Sequence, residues 1–387
     1  MKILQLVAAP FPTQQGSQVY IKGLSGALVE AGHEVFLASY GAGRGTYPSG
    51  VTPVPIADMS TFVGHRSGPS WAKLVANPAL VRSLVSFLRR QPIDLIHAHN
   101  VEAPVVARAA MAMAGTNIPL LYDMHTLMNE ELPSYTAPPL MKRALARVGG
   151  GLDRAVVAMS DGVVSLSPRA LAVAKAWGTE QAWLCEPGVD PEELHGEADR
   201  ARQGFHLPDG PLVTYTGNLD AYQDLDILLH AMLQLPDTTL VVVTHGALGD
   251  LHAAMDAVGL PRNRVHAVVT QRFQDVVDVL HASTVAVLPR TVCAGFPIKL
   301  LNCLGCGVPV VASAGSARPL EGVVAVPNRN IDAMAHAIRA VVRDPLMAER
   351  LGASAKRSVL AHHTWAQRAQ AMQLTVYDPL LSCASLL

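Results

Sequence analysis

The chain has 387 residues, half of them hydrophobic and 16% charged, which exceeds what one ordinary core holds and is too apolar for disorder, so two domains are expected. Its 30 basic and 31 acidic side chains nearly cancel, leaving no global field to hold nucleic acid. The five scattered cysteines, the short β-like opening MKILQLVAAPFP and the lack of any uncharged apolar run near about eighteen residues argue against a disulfide framework, a signal peptide and a membrane span. A cytoplasmic protein is expected.

In chain order, ILQLVAA, the stretch from Gln18 to Ala31, HEVFLAS, DLIHAH and PLLYD alternate short β-rich runs with amphipathic segments, the rhythm of βα units on a parallel sheet. A further helix and VVSLS follow, and then WLCEPGVDPEELHGEADRARQGFHLPDG, whose Pro, Gly and charge suggest a linker. The rhythm restarts at PLVTYTG and continues through LVVVTHG, VAVLP and VPVVAS. In the tail, Trp365, Ala369, Met372 and Val376 are spaced for one buried helical face. The expected organisation is a first domain over 1–190, a second over 191–362, and a helical tail over 363–387 packing back on the first.

Chemistry-bearing residues gather at strand ends. PFPTQQGSQVY follows a strand and opens a helix, where free amides favour an anionic ligand, but it offers only Gly16, for which a turn role is the simpler reading. His97, His99 and His125 lie at or past the carboxyl ends of two expected strands, the edge at which open α/β sheets bind ligands. No metal is expected there, because no carboxylate pair or cysteine has ligand spacing with them. Glu130 and Glu131 are candidates for binding acceptor hydroxyls, or solvate a loop.

VAVLPRTVCAGFPIKLLNCLGCGVPVVAS carries the densest signal. A strand ends at Pro289, a loop carries Arg290 and Gly295, and a helix begins near Pro297 with Lys299 in its first turn, a geometry suited to a diphosphate. Cys303 and Cys306 fall within that helix without a second pair and are expected to pack rather than bind metal. Lys142, Arg143, Arg147 and Arg154, interleaved with Leu140, Leu145 and Val148, form a basic amphipathic stretch. It reads as a solvated face or a weak peripheral contact with the inner membrane surface, and the Gly149–Gly151 run is expected to interrupt it.

Taken together, GSQVYIKGLSGALVEAGHEV, DLIHAHN, YDMHT, PGVD, YTGN…LDILLHA and GFPIKLLN…GCGVPVVAS resemble the retaining glycosyltransferases of family four, in family order and nearly end to end. The resemblance implies an α/β GT-B fold, two Rossmann-like domains facing across a cleft, with a nucleotide sugar as co-substrate and no other cofactor. It implies a glycan, lipid-linked or small-molecule acceptor. By the same resemblance His125 contacts the sugar beside the reacting carbon. The donor falls to Gly16, Gly217, Asn218, Gln223, Arg290, Gly295, Phe296, Pro297, Lys299, Leu300 and Asn302, and the acceptor to His99, Glu130 and Glu131.

The departures fall on charge. Where the family has two glutamates eight positions apart, this chain has Ala294 and Asn302, and where it has Arg and Lys on a loop, Asn218 and Gln223 align, with Asp220 and Asp224 nearby. A non-catalytic GT-B protein binding a glycan or nucleotide, and a sugar-nucleotide epimerase, are the alternatives.

Overall fold

The structure, a computed structural model, describes residues 1–13, 16–41, 45–54, 56, 58–59, 71–134, 138–293 and 295–384. The chain divides into two compact units: Met1–Gly188, Ala294–Phe296 and Trp365–Leu387 form the first, Val189–Cys293 and Pro297–Thr364 the second.

The first unit is built on β1 (Lys2–Val7), β2 (Glu34–Ala38), β3 (Thr52–Pro53), β4 (Leu95–His99), β5 (Leu120–Met124), β6 (Gly162–Ser165) and β7 (Ala182–Leu184), ordered β3-β2-β1-β4-β5-β6-β7. Every neighbouring pair is parallel. A parallel sheet covered on both faces needs apolar side chains on both, which is why β1 and β5 are mainly apolar rather than alternating, with Gln5 and Asp123 as their buried polar residues. Leu4, Leu6, Phe36 and Ile96 pack there against Leu80, Leu84, Val106 and Met111 of the helices.

The second unit repeats the plan with β8 (Leu212–Thr216), β9 (Thr239–Thr244), β10 (Val265–Val269), β11 (Val285–Leu288), β12 (Val310–Ser313) and β13 (Val323–Val326), ordered β10-β9-β8-β11-β12-β13. Its core joins Val213, Tyr215, Val242 and Val287 to Ile227, Met255, Met334 and Ile338. In each sheet the chain works outward to one edge, then returns to the middle and continues to the other. The reversal falls between β1 and β4 and between β8 and β11. At such a reversal the loops diverge and leave a crevice beyond the carboxyl ends of the strands.

Three expectations need correction. The stretch taken for a linker begins inside the first sheet, since Ala182–Leu184 is β7. It also carries the helix Ala198–Gly204, whose Arg200 makes a bidentate pair with buried Asp278 (2.5 and 2.6 Å). The Gly149–Gly151 run does not break its helix, which continues over Pro139–Met159. Close packing explains that, because a Cβ on Gly149 would stand 2.3 Å from the Met128 carbonyl oxygen of the neighbouring helix. Finally, the second sheet has two strands beyond the four expected, the valine-rich β10 and β13.

Within the first unit the tail buries Ala369, Met372, Val376, Tyr377 and Leu380. Its Trp365 ring occupies the space that a side chain at position 23 would need, a Cβ on Gly23 falling 2.1 Å from it.

Candidate functional site

In the first unit the reversal point is occupied by a buried polar cluster. His97 and His99 face the same side of β4 as alternate residues, and their rings stack with centroids 4.5 Å apart. Asp123, near the end of β5, places Oδ2 3.1 Å from His97 Nε2 and 3.5 Å from His99 Nδ1. His125, just past β5, sets Nε2 3.0 Å from His99 Nδ1 and 3.6 Å from Asp123 Oδ1. Two further groups close the cluster: Gln5 of β1, whose Oε1 is 2.5 Å from His99 Nε2, and Tyr377 of the tail, whose hydroxyl is 2.8 Å from His97 Nδ1. The Tyr20 and His125 rings meet near perpendicular, with centroids 5.0 Å apart.

Burial raises the proton affinity of Asp123, but the imidazoles of His125, His97 and His99 outweigh it and hold the carboxyl below its usual range. Burial, with the neighbouring His97, lowers His99 to about 3. Burial also lowers His125, against the pull of Asp123. Both imidazoles are therefore neutral near pH 7, and each neutral ring carries one donor and one acceptor nitrogen. His125 Nδ1 has no hydrogen-bond partner among the described residues.

His97, His99 and Asp123 lie close enough to share a cation, with ligand-type atoms within 4.8 Å. Both nitrogens of His97 and of His99 are already engaged by protein, so an ion there must displace hydrogen bonds.

The second unit's reversal point holds a fixed cation. Lys299, in the first turn of the helix Ile298–Gly305, reaches back to the end of β8, where its ammonium donates to Thr216 O (3.2 Å) and Gln223 Oε1 (3.0 Å) and lies 4.7 Å over the Tyr215 ring. Gln223 passes the restraint on: its Nε2 donates to Asn218 Oδ1 (2.7 Å), and Asn218 Nδ2 donates to Asp220 Oδ2 (2.8 Å) and the Tyr222 hydroxyl (2.7 Å). Gly217 sits beside the ammonium at φ +139°, a backbone state L side chains rarely adopt, and a Cβ there would come 2.9 Å from Lys299 Nζ. Burial, and then the nearby Arg290 guanidinium, lower the Lys299 ammonium to about 8.

Arg290 lies over the Tyr222 ring at 4.8 Å, with Nε donating to Val292 O. Asp224 does not present a bare carboxylate: Oδ2 accepts from Thr291 N (2.8 Å) and Oγ1 (2.6 Å), and Oδ1 faces Arg329 at 3.4 Å. That ties the loop after β8 to the loop after β11 and neutralises a charge that would repel phosphate.

The structure thus brings Gly217, Asn218, Gln223, Arg290, Pro297 and Lys299 to one edge of the second unit, with Asn302 half-buried one turn along the same helix. Gly295 and Phe296 group with the first unit, where a Cβ on Gly295 would strike the His125 carbonyl oxygen at 2.3 Å. Gly16 opens the helix Gly16–Glu30 with open space around its Cα, and Ala294 lies outside the described residues.

Two assignments are corrected. Leu300 is a fully buried core residue, so its side chain cannot line a donor site. His99 is fully buried with both nitrogens engaged, so it reaches no acceptor and acts only through its neighbours. Glu130 is held by an ion pair with Arg169. Cys303 and Cys306 are buried thiols whose proton affinity burial raises, Cys303 to about 12, which disfavours the thiolate that metal binding needs. Sequence reasoning did not single out Gln5, Asp123 or Tyr377. Asp123 stood in the quoted YDMHT, while Gln5 was a polar residue inside an apolar strand, itself a signal.

The comparisons agree with this architecture. Residues 15–184 match the family described as glycosyl transferase 4-like domain, and residues 210–344 match glycosyl transferases group 1. The phosphatidyl-myo-inositol mannosyltransferase of Propionibacterium freudenreichii is 26% identical, over 78% of this chain and 74% of its own length. The D-inositol 3-phosphate glycosyltransferase of Xylanimonas cellulosilytica is 28% identical over 94% of this chain and 91% of its own.

Among solved structures, the sucrose-phosphate synthase of Thermosynechococcus elongatus superposes with a TM-score of 0.82 at 22% identity, covering 99% of both chains. HepE of Anabaena in complex with UDP-glucose gives 0.74 at 18%, covering 98% of this chain and 100% of that one. At those identities they speak for the fold. The chain belongs to the family-four glycosyltransferases of GT-B fold, enzymes that transfer a sugar from a nucleoside diphosphate donor.

Proposed function

We propose that the chain is a retaining hexosyltransferase in which the edge between β8 and β11 holds the donor diphosphate and His125 meets the transferred sugar. The observation that carries this reading is Lys299. An ammonium pinned at the carboxyl end of a strand, beside a glycine that leaves room and a helix start at Pro297 that offers amides, is an arrangement for a dianion. It stands in for the loop cations that Asn218 and Gln223 replace. Retention needs no carboxylate nucleophile in this family's chemistry. The leaving phosphate oxygen takes the acceptor's proton while the acceptor oxygen bonds to the anomeric carbon on the face the phosphate leaves. Ala294 and Asn302 are compatible with that route.

A group beside the reacting carbon acts chiefly in the transition state. His125→Ala therefore lowers kcat by about a hundredfold while changing donor Kd less than about threefold. Steady-state assays of nucleoside diphosphate release, with calorimetry of donor binding, measure both. An unchanged kcat removes His125 from the reaction.

A lipid-linked acceptor is favoured over a soluble one by the helix Pro139–Met159. Leu140 (87% exposed), Met141 (51%), Val148 (56%) and Leu152 (44%) fall within an arc of about 120° on that helix, and Lys142, Arg143, Arg147 and Arg154 are all exposed beside them. An apolar stripe flanked by cations suits the surface of an anionic bilayer. The protein is expected to float with vesicles containing phosphatidylglycerol at low salt and not with purely zwitterionic ones, and Leu140→Asp with Leu152→Asp to abolish flotation. Equal behaviour of variant and parent returns the helix to an ordinary solvated face. Among the described residues no helix is long and apolar enough to cross a membrane.

A further inference from the structure

We propose that Gln5 and His99 form a tautomer lock that fixes His125 with its proton on Nε2 and a bare, hydrogen-bond-accepting Nδ1. The shorter contacts set the arrangement: Gln5 Oε1 to His99 Nε2 at 2.5 Å and His125 Nε2 to His99 Nδ1 at 3.0 Å outweigh the 3.5 Å approach of Asp123 Oδ2 to His99 Nδ1. An amide oxygen only accepts, so Gln5 Oε1, 2.5 Å from His99 Nε2, requires the His99 proton on Nε2. Neutral His99 then has only a lone pair on Nδ1. The His125 Nε2 that lies 3.0 Å from it must donate.

With Nε2 protonated, neutral His125 carries its lone pair on Nδ1, the nitrogen that has no partner among the described residues. Asp123 Oδ1, 3.6 Å from His125 Nε2, favours a proton on that same nitrogen. A second arm fixes Asp123. His97 Nε2, 3.1 Å from its Oδ2, donates to it, so His97 Nδ1 accepts from the Tyr377 hydroxyl at 2.8 Å. The ring protons of the three histidines are thereby assigned, and among the described residues His125 Nδ1 is the ring nitrogen left to accept from a substrate hydroxyl.

The consequence for the reaction rests on the placement of His125 at the sugar proposed above. In the locked tautomer His125 accepts from a sugar hydroxyl, and in the other tautomer it would offer an N–H instead. Gln5 and His99 are thus positioning residues that touch no substrate.

The test is the ring-nitrogen spectrum of the full-length protein labelled with 15N-histidine, the His125 signals being identified by their loss in His125→Ala. The parent is expected to show His125 Nδ1 as a bare ring nitrogen and Nε2 as a protonated one. Gln5→Leu removes the acceptor and should mix the two tautomers. It should also lower kcat by about ten- to a hundredfold, the cost of a misplaced group, with donor KM nearly unchanged.

Gln5→Glu keeps an acceptor at the same place and should retain the parent tautomer, which also controls for misfolding of β1. A protonated Nδ1 in the parent, or a parent-like spectrum in Gln5→Leu, overturns the lock. A mixed tautomer in Gln5→Leu with unchanged kcat confirms the lock and refutes instead the assignment of His125 to turnover.

Discussion

At the scale of single residues the donor edge depends on one proton. Lys299 is lowered to about 8 by burial and by Arg290, so the free protein begins to lose its ammonium just above neutrality. A bound diphosphate favours the charged form, which puts the pKa of the complex above that of the free protein. Affinity is then constant below about pH 8 and falls as pH rises through it, approaching about tenfold per unit until the pKa of the complex is reached. Calorimetric titration with a nucleoside diphosphate across pH ~7.5 to ~9 should show that bend, because the last phosphate ionisation of the ligand, at about pH 6, lies below that range. In Lys299→Met the bend should vanish and neutral-pH affinity should drop about tenfold or more, matching a charge-assisted bond of about 1.5–3 kcal/mol, while nucleoside binding stays the same. A bend that survives in the variant assigns the titration elsewhere. Lys299 was legible because its place, one turn into a helix after a strand, carries the chemistry in the sequence itself. The partners of His97 were not: Tyr377 stands 280 residues away, and no local pattern encodes that hydrogen bond.

At the scale of elements, what the sequence conveyed was periodicity, and what it hid was contact. Mainly apolar runs marked β1, β4, β5, β8, β9, β11 and β12, since burial on both faces leaves most positions of a strand little else to be. VHAVV in β10 and VVAV in β13 are short, partly exposed edge strands whose valines did not distinguish them from a buried helical face. The triple glycine was misjudged because glycine lowers helix propensity by about 1 kcal/mol per residue, a weak prior that close packing overrides.

That packing is specific to one position. A Cβ on Gly149 meets Met128 O at 2.3 Å and Asn129 N at 2.7 Å, both backbone atoms, whereas one on Gly151 meets nothing within 4 Å. Gly149→Ala should therefore cost about 1–3 kcal/mol of overpacking, more than the ~0.5–1 kcal/mol that alanine returns to a helix. Gly151→Ala should stabilise by that ~0.5–1 kcal/mol. Urea unfolding of the two variants compares them directly. Equal shifts of the same sign would mean the two helices part without strain.

At the scale of the whole molecule the two units differ in how their cores are completed. The second unit's main cluster draws on residues from Val213 to Ala348, contiguous but for what the loops contribute. The first unit is finished only by the last segment of the chain. Met372, Val376, Tyr377 and Leu380 are each at most 2% exposed, Trp365 fills the space over Gly23, and Leu380 lies against Gly162 of β6. Burying a large apolar side chain contributes about 1.5–3 kcal/mol, so these four together are of the same order as the ~5–15 kcal/mol that stabilises a whole domain. Removing them also leaves His97 Nδ1, buried in the sheet, without its hydroxyl donor.

A chain ending at Thr364 should therefore retain a folded second unit and lose the first. Native-state hydrogen exchange distinguishes the units. The amides of β8, β9 and β11 should keep their protection in the truncated chain, while those of β1, β4 and β5 exchange as in an unfolded segment. Full protection of β4 in that chain would show that the tail only covers a core already complete without it. The His97–Tyr377 bond would then be dispensable to the fold.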